Sequence, residues 1–79
     1  MKVQVLFFGA TAAAVGAREI EMNLADDAKS DEALAEIKRK FPQLNAHSLL
    51  FAVNQEYANG SESIKNGDDL AIFTAVSGG

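Results

Sequence analysis

The chain has no cysteine. That excludes a disulfide framework and any thiol chemistry on a side chain. Sulfur handled by this protein would have to be carried on something else. His47 is the only histidine, and without cysteine beside it the usual zinc donor set cannot be assembled. Basic residues are also scarce: seven against eleven acidic ones, for a net charge of −4. A surface that neutralises phosphates needs the opposite balance, so a nucleic-acid partner is set aside. The one basic cluster, Lys38-Arg39-Lys40, falls late in a predicted helix, where it complements the negative end of the helix dipole. No apolar run approaches the ~20 residues that cross a bilayer. The opening "MKVQVLFFGA" is short and alternates like a strand, unlike a leader. A cytoplasmic protein with no membrane attachment is expected.

What is present is enough for one domain. Seventy-nine residues at 48% hydrophobic content support one modest core. Residues 2–8 read as a strand, with Val3, Val5 and Phe7 on one face and Gln4, Leu6 and Phe8 on the other. The second face carries two large apolar residues where water is expected. Residues 18–24 alternate cleanly, with Ile20, Met22 and Leu24 inward, and suit an antiparallel pairing with the first strand. Between them "GATAAAVGA" reads as a connection with one helical turn or none.

A helix follows. Ser30 is the expected N-cap, Asp31 and Glu32 suit the positive end of the dipole, and Ala33, Leu34, Ile37 and Phe41 recur at helical spacing. Pro42 ends it. Strands are expected near 49–54, 56–58 and from Asp69 onward, separated by Asn-Gly turns. In the last of these, Leu70 and Ile72 share one face, and Ala71 and Phe73 share the other. One amphipathic helix and one mixed sheet of four to five strands make an α+β roll, the helix packed across the sheet. The expected core is Val3, Val5, Phe7, Ile20, Met22, Leu24, Leu34, Ile37, Phe41, Leu50, Ala52, Leu70 and Ile72.

No catalytic constellation is visible. The serines lack a His-Asp setting, and His47 reads as a solvated or capping residue. Asp26-Asp27 and Asp68-Asp69 sit in turns, where aspartate bonds the backbone. "GATAAAVG" has glycines but lacks the Lys-Ser/Thr of a phosphate loop. Two features remain. If the first and last strands are neighbours, Leu6, Phe8 and Phe73 form a clustered apolar patch, which on a small protein meets a partner. The other feature is "AVSGG". Glycine has no Cβ, so Gly78 and Gly79 can be drawn into a narrow channel, and the carboxylate of Gly79 is sterically open. Adenylation by ATP would turn that carboxylate into an electrophile, and a sulfur donor could then make it a thiocarboxylate.

"VLFFGA", "FAVNQEYA" and "IKNGDDLAIFTAVSGG" resemble the small subunits of molybdopterin synthase. The resemblance covers nearly the whole chain. It implies the ubiquitin-like β-grasp fold, with a globular domain over 1–74 and an extended tail over 75–79. It implies that Gly79 is adenylated by a ubiquitin-activating-like adenylyltransferase using ATP, with no cofactor bound to this chain itself. Gly79 then becomes the thiocarboxylate that donates sulfur to the pterin precursor. Ala75, Val76, Ser77 and Gly78 would insert with it into the large synthase subunit, which supplies the acid-base groups. Leu6, Phe8 and Phe73 would contact the partners. Thr74-Ala75 stands where the family often has two prolines, and the first loop lacks the family's Arg-Glu pair. The alternatives are a sulfur carrier for thiamine or tRNA thiolation and a ubiquitin-like protein modifier.

Overall fold

The alternation at the start of the chain is realised in full: Val3, Val5 and Phe7 are buried, while Lys2 is exposed and Gln4 and Leu6 are half-buried. They form strand β1 (Lys2–Phe7), the first element of a computed structural model that describes residues 1–74. After it come helix α1 (Ala10–Val15), β2 (Glu19–Asn23), α2 (Ser30–Lys40) and a 3₁₀ turn over Pro42–Ala46. The chain then runs through β3 (Leu49–Val53), β4 (Glu56–Tyr57) and β5 (Asp69–Thr74). The expected tail, 75–79, lies outside the described residues.

The strands make one mixed sheet in the order β2-β1-β5-β3-β4. β1 and β5 pair in parallel at its centre, with Val5 opposite Leu70 and Phe7 opposite Ile72. The other pairings are antiparallel. Ala33 and Ile37 of α2 join Val3, Val5, Leu70 and Ile72 in a single core cluster on one sheet face. Phe41 closes its end, its ring set edge-on to Phe7 at 5.6 Å. The expected roll of one main helix across a mixed sheet is therefore the observed one.

Several expectations are corrected. In β3 the residues facing the α2 side are Phe51 and Val53, not Leu50; Ala52 is buried as expected, but on the opposite face. Cross-strand partners share a face, and Phe51 pairs with Ile72 while Val53 pairs with Leu70. Leu50 and Ala52 pair with Phe73 and Ala71 and so face outward. A shift of one residue exchanges the two faces of a strand. Ile20, Leu34 and Phe41 are half-buried at the margin of the core, whereas Leu44 in the 3₁₀ turn and Ile64 in the last loop are buried within it. "ATAAAV" forms a real, if short, helix.

Ser30 is not the N-cap of α2; Lys29 occupies that position and Ser30 is the first helical residue. The segment just before β5 has taken over the capping role. Ser30 and Asp31 donate their backbone amides to the carbonyls of Glu62 and Gly60, at 2.8 and 3.1 Å. The Ser30 hydroxyl, fully buried, donates to the Glu62 carboxylate at 2.6 Å. That carboxylate also accepts from the amides of Asn59 and Gly60. The Glu32 carboxylate accepts from the Lys29 amide at 3.0 Å, so the free amides of the helix start are met from both sides.

Between β3 and β4 the chain turns in two residues, Asn54 and Gln55, both at positive φ (49° and 72°). That is the conformation a tight hairpin demands at both central positions. Asn54 is held there by β5: its amide donates to Asp69 O, and its side-chain oxygen accepts from Asp69 N. The turn sends Tyr57 back across the outer face of the sheet.

Candidate functional site

The sheet face opposite α2 carries the candidate site. Strand alternation places Leu6, Ala71, Ala52 and Tyr57 in one row across four strands, since each is the register partner of the next. A second row lies toward the C-terminal end of β5. Leu50 pairs there with Phe73, and the Phe8 amide donates to Ile72 O at 3.0 Å, bringing Phe8 alongside Phe73. The Phe8 and Phe73 rings meet nearly edge-on, with centroids 6.5 Å apart. Tyr57 lies tilted against the other side of Phe73 at 5.8 Å. All of these side chains but Leu50 line an open groove of about 320 Å³, with Gln55 and Asp69 at its polar rim.

Two large members of this face are poorly covered: Phe8 is 51% exposed and Tyr57 72%. An isolated exposed aromatic is ordinary, but two of them packed against a third, Phe73, around a groove form a surface suited to another molecule. The expected trio of Leu6, Phe8 and Phe73 is brought together because β1 and β5 are neighbours. Tyr57, Ala52, Ala71 and Leu50 complete the face and were not anticipated as part of it. The available signal was the tight Asn54-Gln55 turn, which folds "EY" back beside "FAV".

The border toward β2 is acidic. Glu19 and Glu21 stand opposite Leu6 and Gln4, and Lys2 reaches Glu21 at 3.7 Å. This exposed pair adds little to stability.

The other candidate groups fall elsewhere. His47 is half-buried just after the 3₁₀ turn, its amide bonded to Leu44 O. Asp68 and Asp69 tie down the Asn54 turn. Among the described residues no group of histidine and carboxylate side chains could hold a metal ion. The strongest titration shift belongs to Glu62. Hydrogen bonds from Ser30 and from the Asn59 and Gly60 amides lower its pKa to about 2. A carboxylate so held is a structural acceptor at neutral pH.

What this face can do chemically is bind. β5 runs from the groove at Ala71 past Phe73 to Thr74. The expected tail residues Ala75, Val76, Ser77, Gly78 and Gly79 come directly after, outside the described residues.

Comparison with known proteins gives consistent matches. The ThiS family model matches residues 5–79. The chain is 35% identical over 83 residues to a molybdopterin synthase sulfur carrier subunit from Chlamydomonas reinhardtii, with both chains covered in full. It superposes with a TM-score of 0.88 on a structure named as molybdopterin converting factor subunit 1 from Pyrococcus furiosus. That match has 26% identity and covers 96% of this chain and 99% of the other. It also resembles a chain from a complex of subunits 1 and 2 of molybdopterin-converting factor from Helicobacter pylori. There the TM-score is 0.71, the identity 23% and both chains are covered in full, a likeness that speaks for the fold alone.

Proposed function

The chain belongs to the ThiS family, and from that premise we propose how it performs its part as a sulfur carrier in molybdopterin biosynthesis. Its fold is the ubiquitin-like β-grasp. The sulfur travels on the carboxyl group of Gly79. In the first step a carboxylate oxygen attacks the α-phosphorus of ATP on an adenylyltransferase, forming an acyl-adenylate and releasing pyrophosphate. A donor at the sulfide level then attacks the acyl carbon, AMP leaves, and a thiocarboxylate results. Its sulfur is the nucleophile that reaches the pterin precursor.

The outer sheet face is where the carrier docks. The observation that carries this reading is continuity: the aromatic groove and the approach to the tail belong to one strand, β5, so a protein seated on Phe73 meets the tail within a few residues. The large synthase subunit is the acceptor-side partner, as the Helicobacter complex pairs subunits 1 and 2. That subunit holds the precursor and supplies the acid-base groups. Val76, Ser77 and Gly78 thread in with Gly79, and Ala75 joins them to the domain. The activating enzyme uses the same face. The carrier holds no cofactor of its own; ATP belongs to the activating enzyme, and the setting is the cytoplasm.

Mass spectrometry of the protein produced with its activating enzyme tests this. The expected result is a gain equal to one oxygen-to-sulfur exchange, located on the C-terminal glycine. An unchanged mass in the presence of active enzyme, ATP and sulfur donor would overturn it. Conjugates on lysines of larger proteins would instead identify a modifier. Sulfur that reaches a thiazole or tRNA acceptor, and not the pterin, would identify another pathway.

A further inference from the structure

We propose that Thr11 is a positioning residue for the docking face, its buried hydroxyl fixing the backbone of Phe8 so that the Phe8 ring stands ready for a partner. The inference rests on the docking reading above.

Phe8 is an unusual anchor. It lies one residue past the end of β1 and its ring is half in solvent, with Phe73 as its aromatic neighbour. Side-chain burial therefore does little to order it. Its backbone, by contrast, is clamped. The Phe8 amide lies 3.0 Å from both the Thr11 hydroxyl oxygen and Ile72 O, and donates toward both. The Thr11 hydroxyl hydrogen is directed at Phe8 O, 2.7 Å away, with Ile72 O at 3.0 Å as a second acceptor. One side chain thus bonds the amide and the carbonyl of Phe8 and reaches the strand that carries Phe73.

The surrounding backbone explains why a clamp is needed. Gly9, next in sequence, has φ 59° and ψ −130°, a conformation essentially reserved for glycine. The chain leaves the sheet there abruptly. α1 has six residues and no side-chain cap at its start, so it is a weak anchor by itself. A threonine with no exposed surface costs stability unless its hydroxyl is bonded. Here every hydrogen bond that the hydroxyl makes is with Phe8 or with Ile72 of the neighbouring strand. Groups ordered before contact lose less on binding, and anchor aromatics gain most from this.

The test compares Thr11→Val, which keeps the shape and removes the hydroxyl, with Thr11→Ser, which restores it. Binding to the molybdopterin synthase large subunit of the same organism is measured by calorimetry, and Phe8 amide exchange by NMR on the free carrier. Thr11→Val should raise Kd by about 5- to 10-fold and speed Phe8 exchange by a similar factor, the scale of one lost hydrogen bond. Thr11→Ser should return both toward wild type. A Thr11→Val protein that is less heat-stable but binds within about twofold of wild type would overturn the proposal, because a purely structural hydroxyl predicts that pattern. Should Thr11→Val fail to fold, the wild-type measurement still decides: a Phe8 amide exchanging at an unprotected rate removes the clamp. Phe8→Ala separates the two readings. If it weakens binding and Thr11→Val does not, only the positioning role falls. If Phe8→Ala has no effect, the docking reading falls and this inference with it.

Discussion

The Ser30 hydroxyl donates to the Glu62 carboxylate at 2.6 Å, joining the first turn of α2 to the segment that precedes β5. Neither residue is near the other in the chain, and together they hold the helix against the sheet's last connection.

This contact makes stability depend on acid. The folded-state pKa of Glu62 is depressed from 4.5 to about 2, chiefly by Ser30 and then by the Asn59 amide. A depressed carboxylate contributes stability that is fully present above the unfolded value and fades as pH falls. The loss should therefore begin near pH 4.5 and be complete below about 2. Thermal unfolding of wild type and Glu62→Gln across this range checks it. Wild type should melt higher at neutral pH, and the two midpoints should converge toward pH 2. A constant gap down to the most acid sample would rule the mechanism out.

The β3 register predicts opposite outcomes for adjacent residues. Phe51 faces the core opposite Ile72, while Leu50 faces outward opposite Phe73. Phe51→Ala should cost about 3–5 kcal/mol, the usual range for a buried phenylalanine. Leu50→Ala should cost clearly less, below about 2 kcal/mol for a partly exposed side chain. Denaturant titration distinguishes them, and a reversed order would mean that the strand is shifted by one.

On the outer face, truncation should affect association before stability. Phe8→Ala, Tyr57→Ala and Phe73→Ala should each weaken binding to the large subunit by about 10-fold or more, as anchor aromatics do. The first two side chains are largely exposed, so their melting temperatures should stay within a few degrees of wild type. Calorimetry and thermal melts on the same samples separate the effects. Wild-type affinity in all three variants would place the interface elsewhere.

Removing Gly78 and Gly79 should abolish sulfur transfer and the sulfur-dependent mass gain. Circular dichroism of the shortened protein should be unchanged, because the described core ends with Ile72 of β5. Retained cofactor synthesis by this variant would show that the sulfur is carried elsewhere.

Much of this architecture could be read from residue order, and the failures have physical causes. Alternation identified the inner face of β1 because charged or polar residues interrupt it. In "LLFAV" every residue is apolar, so period alone cannot say which face is buried; pairing with β5 decides. The two residues of β4 are too few to show a period, which concealed Tyr57. Leu6, Phe8 and Phe73 were legible as a patch conditional on one strand adjacency, and the parallel β1–β5 pairing satisfies it. The Glu62 clamp and the Thr11 hydroxyl link distant segments, so no local pattern announces them. The small helix α1 has neither a stripe nor a side-chain cap at its start, and its place depends on tertiary bonds.

The parallel pair at the sheet centre also constrains biosynthesis. β1 emerges from the ribosome early, yet its neighbour on one side is the last of the described strands to be made. A nascent chain lacking 69–74 has a split sheet and no aromatic groove, and pairings between such remote segments form late. The outer face is thus a late product of synthesis: a polypeptide stalled before Asp69 offers a partner neither Phe73 nor the groove it walls.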